Sequence, residues 1–260
     1  MCRIWAMMRR SFCPVLLSVL GLILLVSAQA PSLVSASDQE ILEQADRARF
    51  IDADSYVMLI RVTAERPDQE PREALLKVYV KGFADGPRQR VEFLKPEELQ
   101  DTVYLVIGDD IYFYQFGHGL QGPLRVSGQQ KLFGDAGVAE AAGIILEDDY
   151  QIASREEAQL EGKPALLLHL RSQTAAYRLI DLWVEPDSFK PQRAVLYALS
   201  EQPLRRVLYK EYTKLNADEY AKLMVVENLL QQGYRTTLGI TEVSIEELPD
   251  GLFDPAALHD

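Results

Sequence analysis

The sequence is short of the residues that most often carry chemistry. It holds two cysteines, Cys2 and Cys13, and three histidines, His118, His169 and His259, in 260 residues. None stands at metal-ligand spacing from another His or Cys, which excludes the common zinc arrangements. There is no G-x-S-x-G elbow, and "EGKPA" (Glu161 to Ala165) lacks the upstream glycine of a phosphate loop. His169 alternates away from Leu166, Leu168 and Leu170 and reads as a histidine on a sheet surface. His118 lies between two glycines and reads as a loop residue, and His259 is in the tail. Asp109-Asp110, Asp148-Asp149 and Glu156-Glu157 read as solvated charge at turns or strand edges. Asp181 in "LIDLWVE" is the best candidate for a buried polar group. The expectation is therefore a protein with no catalytic set, no metal and no cofactor.

Long apolar runs are equally scarce. The one at Val15 to Val26, "VLLSVLGLILLV", is too short for a comfortable membrane span. It follows Arg3, Arg9 and Arg10 and precedes Ala28-Gln29-Ala30, the order of a secretory signal peptide over residues 1–30. A second cleavage pattern, Val34-Ser35-Ala36, extends the possible boundary to 36. Both cysteines fall inside this segment, and Cys13 precedes the apolar run, the wrong side for a lipobox. Residues 31–260 then carry no disulfide and no membrane anchor, and read as a single domain held by its core. Loss of the first thirty residues removes three arginines and leaves 24 basic against 39 acidic residues. That balance argues against nucleic acid and anionic membrane surfaces as partners.

What the sequence does have is strand-like surface. One amphipathic helix is expected from about Asp38 to Phe50, with Ser37 and Glu40 forming a capping box. Ten or eleven short β-branched or aromatic runs follow, with few helices of crossover length between them, which favours an antiparallel meander. In "DTVYLVIGDDIYFYQFGHG", Val103, Leu105, Ile107, Tyr112 and Tyr114 share one face of a hairpin. Tyr104, Val106, Ile111 and Phe113 share the other, so both faces are apolar. A stretch with six glycines between Gly117 and Gly137, then a short helix near 138–146, leaves the sheet as a cover or binding loop.

The signal segment, "ILEQADRARF", the meander through "RVEFLKPEELQDTVYLVIGDDIYFY", then "PLRVSGQQKLFGDAG", "YRLIDLWVEPDSFKPQRAVLY" and "GYRTTLGITEVSIEELPDGLFDPAAL" together resemble the outer-membrane lipoprotein-sorting (LolA-like) family. The resemblance spans nearly all of residues 31–260, in loose patterns rather than a fixed motif. It implies a mainly β fold, a strongly curved, open antiparallel half-barrel with helices over its concave face. It also implies a periplasmic, non-catalytic carrier of lipoprotein acyl chains or other lipids. The alternative it implies is an envelope sensor, or an accessory protein of an inner-membrane transporter of the resistance–nodulation–division (RND) type, that binds a protein partner. On that picture the pocket-lining positions are Tyr104, Val106, Ile111 and Phe113, with Ile180 and Leu182 by the same alternation. The N-terminal helix and the glycine-rich excursion are expected to lie over the Phe113 face.

Overall fold

The computed structural model describes residues 36–117, 119–215 and 218–258. The expected signal segment, both cysteines, His118 and His259 lie outside these. Ala36–Asp260 forms one compact unit, and among the described residues no helix is long and apolar enough to cross a membrane.

Helix α1 (Asp38–Arg47) starts at the expected capping box, with the Glu40 carboxylate on the Ser37 amide at 2.7 Å and the Ser37 hydroxyl on the Glu40 amide at 3.3 Å. It ends short of Phe50, and buries Ile41, Leu42 and Ala45. Strands β1 (Ser55–Glu65), β2 (Arg72–Phe83), β3 (Gly86–Lys95), β4 (Thr102–Ile107), β5 (Asp110–Gln115) and β6 (Leu124–Val126) form a meander. The short pair β7 (Lys131–Phe133) and β8 (Ala136–Gly137) precedes helix α2 (Val138–Ala142). A second meander runs through β9 (Gln151–Leu160), β10 (Lys163–Arg171), β11 (Leu179–Val184), β12 (Pro191–Tyr197), β13 (Pro203–Leu215), β14 (Asp218–Asn228) and β15 (Arg235–Ile245).

The two meanders join where β15 pairs with β1, giving one 13-stranded antiparallel sheet with β6 at one edge and β9 at the other. The edges are not paired to each other, so the half-barrel stays open. This topology settles what the excursion does. The chain leaves the sheet at one edge, after β6, and must re-enter at the opposite edge, at β9. Residues 127–150 therefore cross the inner face. The main core lies beneath them, with Ile41, Leu76, Val138, Leu168, Leu182 and Leu196 all fully buried or nearly so.

The sheet has two strands more than the eleven runs visible in sequence. β6 is only three residues long, and β9 ("QIASREEAQL") is an exposed edge strand with a polar middle, Ser154 to Glu157. Charge on an edge strand discourages pairing with other chains, and it also hides the strand from a search for apolar alternation.

The β4–β5 hairpin has the expected register, Val103 opposite Tyr114 and Val106 opposite Ile111. Its inner face, with Tyr104 and Ile111, joins the main core. Its outer face is covered by the C-terminal segment. Leu248, Phe253 and Leu258 pack on Val57, Val103, Leu105 and Tyr114 in a second core. The Phe253 ring meets Phe83 edge-on at 5.7 Å, and Lys81 ties the segment down through Asp250 at 2.6 Å. Phe253 is fully buried, so Phe253→Ala should cost about 3–5 kcal/mol. Denaturant unfolding measures this, and a cost below about 1 kcal/mol would contradict tail packing on the hairpin.

Candidate functional site

Two side chains at the end of α1 hold the excursion against the sheet. The Asp46 carboxylate accepts from the backbone amides of Leu146 at 2.8 Å and Glu147 at 2.9 Å. Its other oxygen accepts from Arg49, whose Nη2 also donates to the Ile144 carbonyl. Both side chains are almost fully buried, at 7% and 5% exposure. The guanidinium also lies 5.0 Å over the Phe50 ring and 5.9 Å from that of Tyr209. Burial opposes its charge, but Asp46 and Tyr209 outweigh burial and hold the Arg49 pKa above its ordinary value. Residues 144–147 thus form a strap, gripped by "DRARF" (Asp46 to Phe50).

Three more contacts seat the cover. Gln89 donates to the Ala142 carbonyl at 2.5 Å from β3. Thr236 of β15 accepts from the Asp135 amide at 2.8 Å. Glu140 of α2 accepts from the Tyr177 hydroxyl at 2.7 Å and pairs with Arg205 of β13. Gly143, at φ +85°, lets the Phe50 ring lie against the backbone; a Cβ there would fall 2.4 Å from Phe50 Cε1. Two buried polar atoms of this cover, Arg49 Nε and Glu140 Oε2, have no hydrogen-bond partner.

Beneath the cover the inner face is not completely filled. One chamber, of about 90 Å³, is lined by Phe50, Tyr56, Met58, Met224, Leu238 and Ile240, with the 140–144 backbone as its roof. A second, of about 230 Å³, lies beside Val106, Ile111, Val126, Ile145 and Tyr177. Gln89, Ala142, Gly143 and Ile144 border both. Each chamber is smaller than the roughly 300–1,000 Å³ of a small-molecule pocket, and the segment between them is the one the strap holds.

Of the six positions expected from sequence, Val106 and Ile111 line the second chamber. The Tyr104 and Phe113 rings meet at a tilt, centroids 5.3 Å apart, and face the same core. Ile180 and Leu182 are buried in that core farther along the sheet and line neither chamber. The lining of the first chamber, from β1, β14 and β15, escaped the sequence reading. Those strands alternate like any half-buried strand, and only the path of the excursion distinguishes them. The Asp46–Arg49 pair gave no signal beyond helix-end charge. Asp181, the best sequence candidate for a buried polar group, is on the outer face and part-buried, 23% exposed. There it bonds His169 Nδ1 at 2.6 Å and the Tyr197 hydroxyl at 2.6 Å.

The strap ends in acidic residues. Burial first, then Asp109, Asp148 and Asp46, raise the Asp149 carboxyl from 3.8 to about 6. Burial, with Asp46 and Asp148, also raises Glu147. A raised acid adds stability that is complete below its unfolded pKa and lost as pH rises through the folded value. Asp149→Asn should therefore raise the melting temperature near neutral pH, and the gain should vanish below pH 3.8. An equal gain at both pH values would show that the Asp149 charge is not the cause.

Comparison with known proteins places this geometry. A family model described as "Uncharacterized protein"-like matches residues 86–260, and no curated protein matches the sequence. Among solved structures, a LolA superfamily protein from Nitrosomonas europaea superposes at TM-score 0.74 with 24% identity, over 85% of this chain and 98% of that one. A DUF1329 family protein from Desulfovibrio piger gives 0.71 at 19% identity, over 85% and 98%. A domain described as of outer-membrane lipoprotein-sorting type from Vibrio parahaemolyticus gives 0.71 at 15% identity, over 85% and 97%. At these identities the likeness establishes the fold.

Proposed function

We propose, for a chain that belongs to the "Uncharacterized protein"-like family over residues 86–260 and has the LolA-type fold, that it is a periplasmic, non-catalytic carrier of a lipid or lipoprotein acyl chain. The observation that carries this reading is the pair of apolar chambers separated by the cover segment that Asp46, Arg49 and Gln89 hold. Displacing that segment joins the chambers into one groove along the inner face, with Val106 and Ile111 at one end and Met58 and Met224 at the other. Each buried methylene contributes about 0.8 kcal/mol, so ten supply roughly 8 kcal/mol gross. Association costs of several kcal/mol are set against this, as is the loss of the strap's hydrogen bonds. The balance favours binding that is reversible, as a carrier requires. No reacting side chain is needed for that task.

One feature favours the alternative, an envelope sensor or an accessory subunit of an RND-type transporter. β9 is ten residues long and hydrogen-bonded on one side only, and a free edge can accept a strand from a partner. Its charges, Arg155, Glu156 and Glu157, work against indiscriminate pairing.

Organic extraction of the full chain purified from its native envelope, followed by mass spectrometry, tests the carrier reading. A stoichiometric acyl lipid is the expected result. An empty protein that also ignores acyl-chain probes, together with in-cell crosslinks from β9 to one membrane protein, would replace it with the partner-binding reading.

A further inference from the structure

The outer face of the sheet is covered over β1–β5 and bare over β11–β13. The C-terminal segment makes the cover, and its contacts show what this face accepts. Phe253 meets Phe83 edge-on, and Lys81 and Arg88 stand over that Phe83 ring at 5.9 and 4.2 Å. Lys81 pairs with Asp250, and Arg90 donates to the Leu252 carbonyl at 3.4 Å. Cations set around an aromatic ring thus receive an acidic, apolar segment.

The same elements recur, uncovered, on β11–β13. Leu182, Ala194 and Val207 point into the main core, so Trp183, Arg193, Val195, Arg206, Leu208 and Lys210 point outward. Trp183, Val195 and Leu208 belong to neither core and are half-buried. Arg193 is the register partner of Trp183 and of Leu208, and its guanidinium lies 3.9 Å from the Trp183 ring centre. Arg206 and Lys210 flank Leu208 on β13, each diagonal to Arg193, so three cations surround one leucine. Arg206 pairs with Glu227. Arg193 and Lys210 make no ion pair or hydrogen bond among the described residues. Lys210 faces Leu223 on β14. The carboxylates diagonal to Arg193 on β11 are engaged elsewhere, Asp181 by His169 and Tyr197, Glu185 by Ser188 and Gln192. Burial, then the Arg206 charge, lowers the Arg193 pKa, and Glu161 offsets this only in part.

We propose that this patch docks an acidic, apolar segment of a partner protein, with its carboxylates on Arg193, Arg206 and Lys210 and an apolar side chain over Leu208 and Trp183. The surface goes beyond the carrier reading and shares no residue with the inner chambers except through the strands that carry both. Charge identifies the chemistry of the partner. The formal net charge of the chain is −12, so an extended polyanion, a nucleic acid or an anionic bilayer, is repelled at long range. A short segment with a few carboxylates meets the local cations within a Debye length, about 8–10 Å. Trp and Arg are also enriched among the residues that carry binding energy at protein interfaces.

Trp183 reports on the patch itself, because the other tryptophan of the chain, Trp5, can be replaced by phenylalanine. The probe is a synthetic peptide of Glu246 to Leu258, the kind of segment the covered half accepts. Its control carries amides in place of the four carboxylates. Titration of the full Trp5→Phe chain should change Trp183 emission, with the acidic peptide binding about tenfold more tightly than the control. That ratio corresponds to about 1.4 kcal/mol, which two exposed ion pairs can supply. Raising the salt should shrink it. Arg193→Gln combined with Lys210→Gln should bring the ratio to about one. Lys210→Gln alone leaves the Trp183 stack intact and should lower the ratio part of the way. Neither side chain belongs to a core, so both variants should melt like the parent, which differential scanning checks. An emission that ignores both peptides, as binding only at the site of the tail would give, would overturn the docking surface. Equal affinities for the two peptides, or a ratio unchanged by the substitutions, would overturn it as well. The carrier reading stands or falls separately, by the lipid extraction.

Discussion

A buried carboxylate, Asp46, organises the inner half of this molecule. It takes two backbone amides of the strap on one oxygen and the Arg49 guanidinium on the other. An open sheet with an apolar inner face cannot finish its own core, because its edges never meet. The cover has to be supplied by the chain between those edges, and that chain is rich in backbone polar groups that must be paired once buried. Asp46 and Arg49 meet that requirement at the point where the strap passes α1. Removing one member of a buried pair costs about 3–5 kcal/mol, yet the intact pair adds little over an apolar filling of the same shape. Its value is therefore positional. It sets where the strap sits and leaves a closure that can be reversed.

The two faces of the β4–β5 hairpin show how much of this was legible in the residues. Their identities followed from alternation alone, and the register confirms every pair. The cover of the inner face, by α1 and the excursion, was also expected and is present. The outer face was different. It read as apolar with no segment assigned to cover it, and the C-terminal segment closes over it with Phe253 and Leu258. Periodicity within a strand reports which residues point together. It says nothing about which distant segment arrives to cover them.

The same limit applies to the site. Val106 and Ile111 could be placed near a cavity because they sit on an anomalous hairpin. Met58, Met224 and Ile240 sit on ordinary ones, and their role depends on the excursion crossing above them. β9 was missed for the opposite reason, since the polar middle of an edge strand, Ser154 to Glu157, breaks the apolar alternation. Asp181 is a hydrogen-bonded, part-buried aspartate, satisfied by His169 and Tyr197 on the face opposite Ile180 and Leu182.

The central claim is that the strap closes the inner chambers and yields to a ligand chain. Hydrogen exchange at the Leu146 and Glu147 amides, with and without a saturating long-chain fatty acid, reads that closure directly. Both amides are bonded to Asp46 in the closed state. Loading should speed their exchange, while amides in the core strands β1 and β2 keep their protection or gain more. Unchanged or slower exchange at Leu146 and Glu147 under full occupancy would mean that the strap does not open, and would contradict the account.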